Sequence, residues 1–130
     1  MYRGNTVVRF SEDPSAEVEA FWSITVYDAD SFLVASPDDY PNKVLGVCIF
    51  SVKRDTQYIK EDDGSVIIYL QHEMPERYPD VNWLCIPDEN QEYQMTFRAY
   101  WPSVDIINFT YPMATVEVVS LVYSFPEFNA

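Results

Sequence analysis

The sequence predicts an all-β chain: a jelly-roll-like antiparallel β-sandwich with a short N-terminal helix or arm. Three observations carry that prediction. Apolar and polar residues alternate through Trp22-Ser23-Ile24-Thr25-Val26-Tyr27 and again from Tyr93 to Tyr100, the period of a strand with one buried face. Aromatic residues make up 16% of the chain, and flat rings pack well across pleated sheets. Nine prolines stand against three glycines, so turns are set mainly by proline and Asx chemistry.

At 130 residues the chain reads as one domain, large enough to bury about two-thirds of its unfolded surface. Residues 1–20 form an arm and residues 21–130 the sandwich. In the arm, Ser11-Glu12-Asp13-Pro14 followed by residues 15–20 predicts a short helix capped by Ser11 or Asp13. Phe21 to Tyr27 is the first strand, broken by Asp28-Ala29-Asp30-Ser31 before Phe32-Leu33-Val34. Ser36 to Asn42, with two prolines and three Asx residues, is a loop. Val44 to Val52 is apolar on both parities, which predicts a central strand buried on both faces. Asp62-Asp63-Gly64-Ser65 lies between Tyr58-Ile59-Lys60 and Val66 to Leu70, the signature of a hairpin with a type I′ turn. Met74 to Asp80 is a polar loop, Tyr93 to Tyr100 a half-buried strand stopped by Pro102, and Ser103 to Ile107 one helical turn. A last strand runs from Thr115 to Tyr123. Seven or eight short strands separated by turns fit a sandwich.

A net charge of −13 excludes a nucleic-acid or anionic-membrane surface, because both need clustered Lys and Arg. No apolar run approaches the ~20 residues needed to span a bilayer, and the N-terminus lacks a signal-peptide core. The expectation is a cytoplasmic or otherwise unexported protein. Acidic clusters such as Glu61-Asp62-Asp63 read as solvated loops, none with the alternating ligands of a calcium loop. Cys48 and Cys85 each sit in apolar company and read as buried free thiols, pairing only if they face each other.

Several segments in fixed order resemble one family. They are Phe21-Trp22-Ser23-Ile24-Thr25-Val26-Tyr27-Asp28, Asp63-Gly64-Ser65, Tyr69-Leu70-Gln71-His72, Asn82-Trp83-Leu84 with Pro87, and Arg98-Ala99-Tyr100-Trp101-Pro102. The pattern, spanning roughly residues 20 to 119, is similar to the domain of unknown function 1214. That module is usually the C-terminal half of a two-domain protein. The resemblance implies a jelly-roll-like sandwich and no established reaction. The expectation is a stand-alone module without the companion domain, and Cys85 stands where the family has Pro after Asn-Trp-Leu. Asp38-Asp39-Tyr40-Pro41 also lacks the family's basic residue.

Chemistry is thinly signalled. His72 is the lone histidine, so no His-based triad or zinc cluster can be assembled, and it reads as a strand-end residue. No nucleophile elbow, phosphate loop or Cys-x-x-Cys is present. No catalytic residue, metal or cofactor is assigned. Asp28 follows an apolar strand and reads first as a turn cap, with partial burial the alternative. Arg98 lies on the polar parity of its strand beside Tyr100 and Trp101, as an ion pair, an aromatic stack or an anchor for a carboxylate. Asn82 and Trp83 read as a plug closing one end of the sandwich. Arg98, Tyr100, Trp101, Asn82, Trp83 and Asp28 are therefore the candidate ligand- or partner-binding residues. The leading expectation is a non-catalytic interaction or assembly module with a protein partner or self-association. The alternatives are a small-molecule-binding or hydrolase-like domain using a pocket near Arg98, Trp101 and Asn82, and a coat or scaffold subunit.

Overall fold

The structure, a computed structural model, describes residues 1–41, 45–53, 56–76, 82–88 and 90–119. The strands are β1 (Tyr2–Arg3), β2 (Thr6–Phe10), β3 (Val18–Asp28), β4 (Ile49–Val52), β5 (Val66–Gln71), β6 (Trp83–Cys85), β7 (Glu92–Pro102) and β8 (Thr115–Val118). A 3-10 turn at Pro14–Glu17 and a single-turn helix α1 (Val104–Ile107) are the helical pieces among the described residues. Two four-stranded sheets result, ordered β1-β7-β3-β4 and β6-β5-β2-β8.

The period of two does what it predicts. Trp22, Ile24 and Val26 of β3 are buried with Val8 and Phe10 of β2 and with Val66, Ile68 and Leu70 of β5. Phe10 meets the Trp22 ring edge-on at 5.3 Å between centroids. β3 and β7 pair along most of their length, from Phe21↔Tyr100 to Asp28↔Tyr93. The Tyr93 hydroxyl then crosses between the sheets to the Thr6 hydroxyl at 2.5 Å and donates to the Gly4 carbonyl at 2.9 Å.

Six expectations are corrected. Residues 1–20 are not an arm outside the sandwich: β2 pairs with both β5 and β8 in the second sheet. The short helix is the 3-10 turn, capped by Asp13, and residues 18–20 already belong to β3. Val44 to Val52 is not a central strand, because Gly46 sits at φ 69, Val47 makes only an isolated bridge with Ala35, and the strand Ile49–Val52 lies at the sheet edge; Val44 lies outside the described residues. The Asp-Gly turn forms, with Gly64 at φ 88 and its N–H donating to the Glu61 carbonyl. It is not a type I′ hairpin, since Asp63 has no positive φ and β5 pairs with β2 and β6 instead of residues 58–60. Finally, the cysteines are not free. Cys48 and Cys85 form a disulfide with their Cα atoms 5.2 Å apart, next to β4 of one sheet and within β6 of the other. The sandwich is also not wholly antiparallel, because β5 and β6 run parallel.

Candidate functional site

The ends of β2, β4 and β7 and the start of β3 gather at one end of the sandwich, where Phe10 pairs with Val66, Trp22 with Val52, and Val18 with Pro102. A hydrogen-bonded chain runs through this end. Trp22 Nε1 donates to Ser15 Oγ at 2.9 Å, Ser15 Oγ lies 2.7 Å from the Tyr58 hydroxyl, and that hydroxyl donates to Asp13 Oδ1 at 2.5 Å. The direction follows by elimination. An indole N–H only donates and an ionised carboxylate only accepts, so Ser15 donates to Tyr58 and Tyr58 to Asp13. Asp13 also caps the 3-10 turn by accepting from Ser15 N at 2.9 Å, and pairs with Lys60 Nζ at 3.1 Å.

The electrostatics agree with that direction. Burial alone would raise the Asp13 carboxyl, but the bonds from Tyr58, Ser15 N and Lys60 hold it below its ordinary value. Burial, then the Asp13 carboxylate, pushes Tyr58 well above an ordinary phenol. Tyr58 is therefore a held proton donor, the opposite of a phenolate base. The chain forms one side of a groove of about 530 Å³, whose apolar wall includes Val18, Phe21 and Val52 and whose rim carries Lys53 and Glu19. Asp13, Ser15 and Tyr58 went unrecognised as a unit because their contacts span 43 and 45 positions. Only the Asp-Pro cap was a local signal.

Asn82 is fully buried. Its Nδ2 donates to the carbonyls of Ile59 (2.9 Å) and Ile67 (2.8 Å), and its Oδ1 accepts from Ile59 N at 2.9 Å. Every polar atom of the amide is used to fasten residues 58–60 to the sheet, so no ligand reaches it without breaking these bonds. Trp83, also buried, donates from Nε1 to the Gln71 carbonyl at 2.8 Å and meets Tyr40 edge-on. These two are the plug. Asp28 is a turn cap, accepting from Asp30 N and Phe32 N, both at 2.9 Å.

Arg98 belongs to the other sheet, on the face opposite the core-packed Phe97. It donates to Thr25 Oγ1 at 3.3 Å and to the Tyr27 hydroxyl at 2.8 Å, with its guanidinium 5.7 Å from the Tyr27 ring centre. Tyr100 stacks on Phe21 with ring centres 4.1 Å apart. The structure thus places Arg98 in β7 of one sheet and Asn82 just before β6 of the other.

Trp101 is unlike the other candidates. It is 70% exposed and has φ 61. Phe109, on the far side of α1, is 89% exposed and has φ 63. Between them Val104 and Ile107 of α1 are exposed as well. Ser103 caps the turn and ties it to the 3-10 turn before β3 by donating from Oγ to Glu17 Oε1 at 2.6 Å. Tyr111 fastens the segment after α1 to the same end by donating to the Glu12 carbonyl.

A second groove, of about 760 Å³, is lined by His72, Glu73, Glu76 and Asp88 among others. His72 Nδ1 lies 3.1 Å from the Ile86 carbonyl, at the end of β5 as expected. Among the described residues no group of three His, Cys, Asp or Glu is placed to hold a metal ion. No helix among them is long and apolar enough to cross a membrane.

The molecule is a two-sheet β-sandwich whose buried polar residues are occupied with holding it together. It belongs to the family described as protein of unknown function (DUF1214), which it matches over residues 3–104. No curated protein matches. Among solved structures it is similar to the VPA0106 protein from Vibrio parahaemolyticus, at 28% identity and a TM-score of 0.64. That match covers 90% of this chain and 26% of the other, so the chain spans about a quarter of that protein's length. Against the family pattern, Cys85 in place of Pro is explained by its bond to Cys48.

Proposed function

We propose that this domain is a non-catalytic interaction and assembly module that binds a protein partner through the α1 end of the sandwich. The observation that carries the reading is the pair Trp101 and Phe109, both at positive φ and both exposed. A bulky L-residue in the left-handed region costs about 1 kcal/mol or more, and an exposed ring recovers little of it through packing. Such outliers persist where the outward-facing side chain is needed, and aromatic anchors are what protein interfaces use. The acidic residues Glu19 and Asp105 are exposed near this end, and with the net charge of −13 they favour a partner with a basic rim.

The test is photo-crosslinking from position 109 in the cells that produce the chain, with position 30, in the exposed turn after β3, as a control at the opposite end of that strand. A discrete adduct from 109, absent from 30 and lost on Trp101→Gly, supports the reading. Unlinked chain at 109, or equal crosslinking at both positions, contradicts it.

A small-molecule reading is favoured by one observation, the groove beside Asp13 and Tyr58, and not by Arg98 or Asn82. A thermal-shift screen with small polar ligands tests it: stabilisation lost on Lys53→Ala supports it, and no stabilisation rejects it.

A further inference from the structure

β8 closes one side of the second sheet and pairs only with β2 among the described residues. The hydrogen-bond phase shows which of its groups are not bonded to β2. Val119 N donates to the Asn5 carbonyl at 2.8 Å, so Asn5 and Val119 are a bonded pair. Bonded and non-bonded pairs alternate in an antiparallel ladder. With Thr6↔Val118, Val7↔Glu117, Val8↔Val116 and Arg9↔Thr115 as the register, the bonded pairs are those of Glu117 and Thr115. The N–H and C=O groups of Val116 and Val118 therefore point away from β2, along the open edge.

The side chains of this edge add a second feature. Val116 and Val118 share the face of Val8 and Thr6, which are buried, yet they are themselves 39% and 50% exposed. Glu117 lies on the opposite face. Edge strands are usually blunted by Pro, Lys or a bulge, and Thr115–Val118 contains none of these. An apolar row, a hydrogen-bonding edge unpaired among the described residues and a single acid on the other face together describe an acceptor for one more strand.

We propose that β8 is a strand-addition site for an extended segment of another protein with alternating apolar and basic side chains. The proposal rests on the interaction-module reading and adds to the α1 end a second contact, with the class of segment it takes. Apolar residues of the incoming strand lie beside Val116 and Val118, and basic residues lie on the face of Glu117. A second copy of this chain fits poorly. Pairing β8 with itself through Val116 and Val118 sets the two Glu117 side chains directly opposite or diagonal to each other. It also joins two chains that each carry −13.

The experiment uses the whole chain and two blocked peptides, one alternating Lys and Val, the other alternating Glu and Val, read by amide hydrogen exchange at single residues. The expected result is at least ~10-fold slowing at Val116 and Val118 with the Lys peptide, weakened by added salt and absent with the Glu peptide. Glu117→Lys, a substitution at an exposed position, is expected to reverse the preference between the peptides. No slowing at these amides with the Lys peptide overturns the proposal. So does strong protection in the free chain, which would mean that residues 120–130 already fill the edge. If β8 stays unprotected while position 109 still crosslinks, strand addition fails and the module reading stands. If both fail, the module reading falls with it.

Discussion

The Tyr58 hydroxyl donates to the Asp13 carboxylate at 2.5 Å across 45 positions of sequence. This contact joins the segment before β5 to the turn between β2 and β3. It completes a one-way chain of donors from the Trp22 indole to a carboxylate, in which each hydroxyl accepts once and donates once. Hydroxyls used in this way order the sandwich end.

The pH dependence follows from Asp13. Its carboxyl is below the ordinary value of 3.8 when folded, so the unfolded chain binds the proton more tightly. Its contribution is therefore fully present above about pH 4 and is lost as pH falls through the folded value. Asp13→Asn is expected to flatten this acid limb of the stability curve and to lower stability at neutral pH. Urea titrations at a series of pH values check both effects.

Asn82→Ala is expected to be among the most damaging single substitutions. It leaves Ile59 N and the carbonyls of Ile59 and Ile67 without their buried partner. At ~1–3 kcal/mol for each stranded group, the loss exceeds about 3 kcal/mol. Denaturant midpoints of Asn82→Ala and Arg98→Ala compare the plug with the surface. The Arg98 change, which removes bonds to two hydroxyls on one face, is expected to cost about 1 kcal/mol.

The disulfide makes a third expectation. Cys48 and Cys85 are 37 residues apart, and closing a loop of that length contributes about 4 kcal/mol on the chain-entropy estimate. Reduction, or the double change to Ala, is expected to lower the thermal midpoint and leave the sheet signal in circular dichroism intact below it.

The alternation of apolar and polar residues identified β3 and β7, but it reports burial directly in β5, where Val66, Ile68 and Leu70 are buried and their neighbours half-buried; in β3 Ser23 and Thr25 are buried as well. β4 was over-read: Val44 to Val52 is apolar on both parities, which looks the same for a central strand and for a short edge strand following a glycine bend. The first twenty residues were under-read, since Thr6–Phe10 is too short for its period to stand out beside the Asp-Pro cap. The disulfide was invisible because two apolar neighbourhoods do not reveal that they face each other. Among the candidate residues, parity identified Arg98 as a surface residue and Asn82 as a plug. The left-handed backbone at Trp101 and Phe109 has no sequence signature, so the exposed aromatic pair emerges only from the fold.

The interaction reading stands on the claim that Phe109 is held outward at a cost to stability. Phe109→Gly measures this most directly, since Gly enters φ 63 without strain. Urea unfolding of the variant beside the native chain is expected to show equal stability, or a gain of up to about 1 kcal/mol. A loss of about 2 kcal/mol or more would mean that the ring packs and stabilises the fold, and would contradict the account.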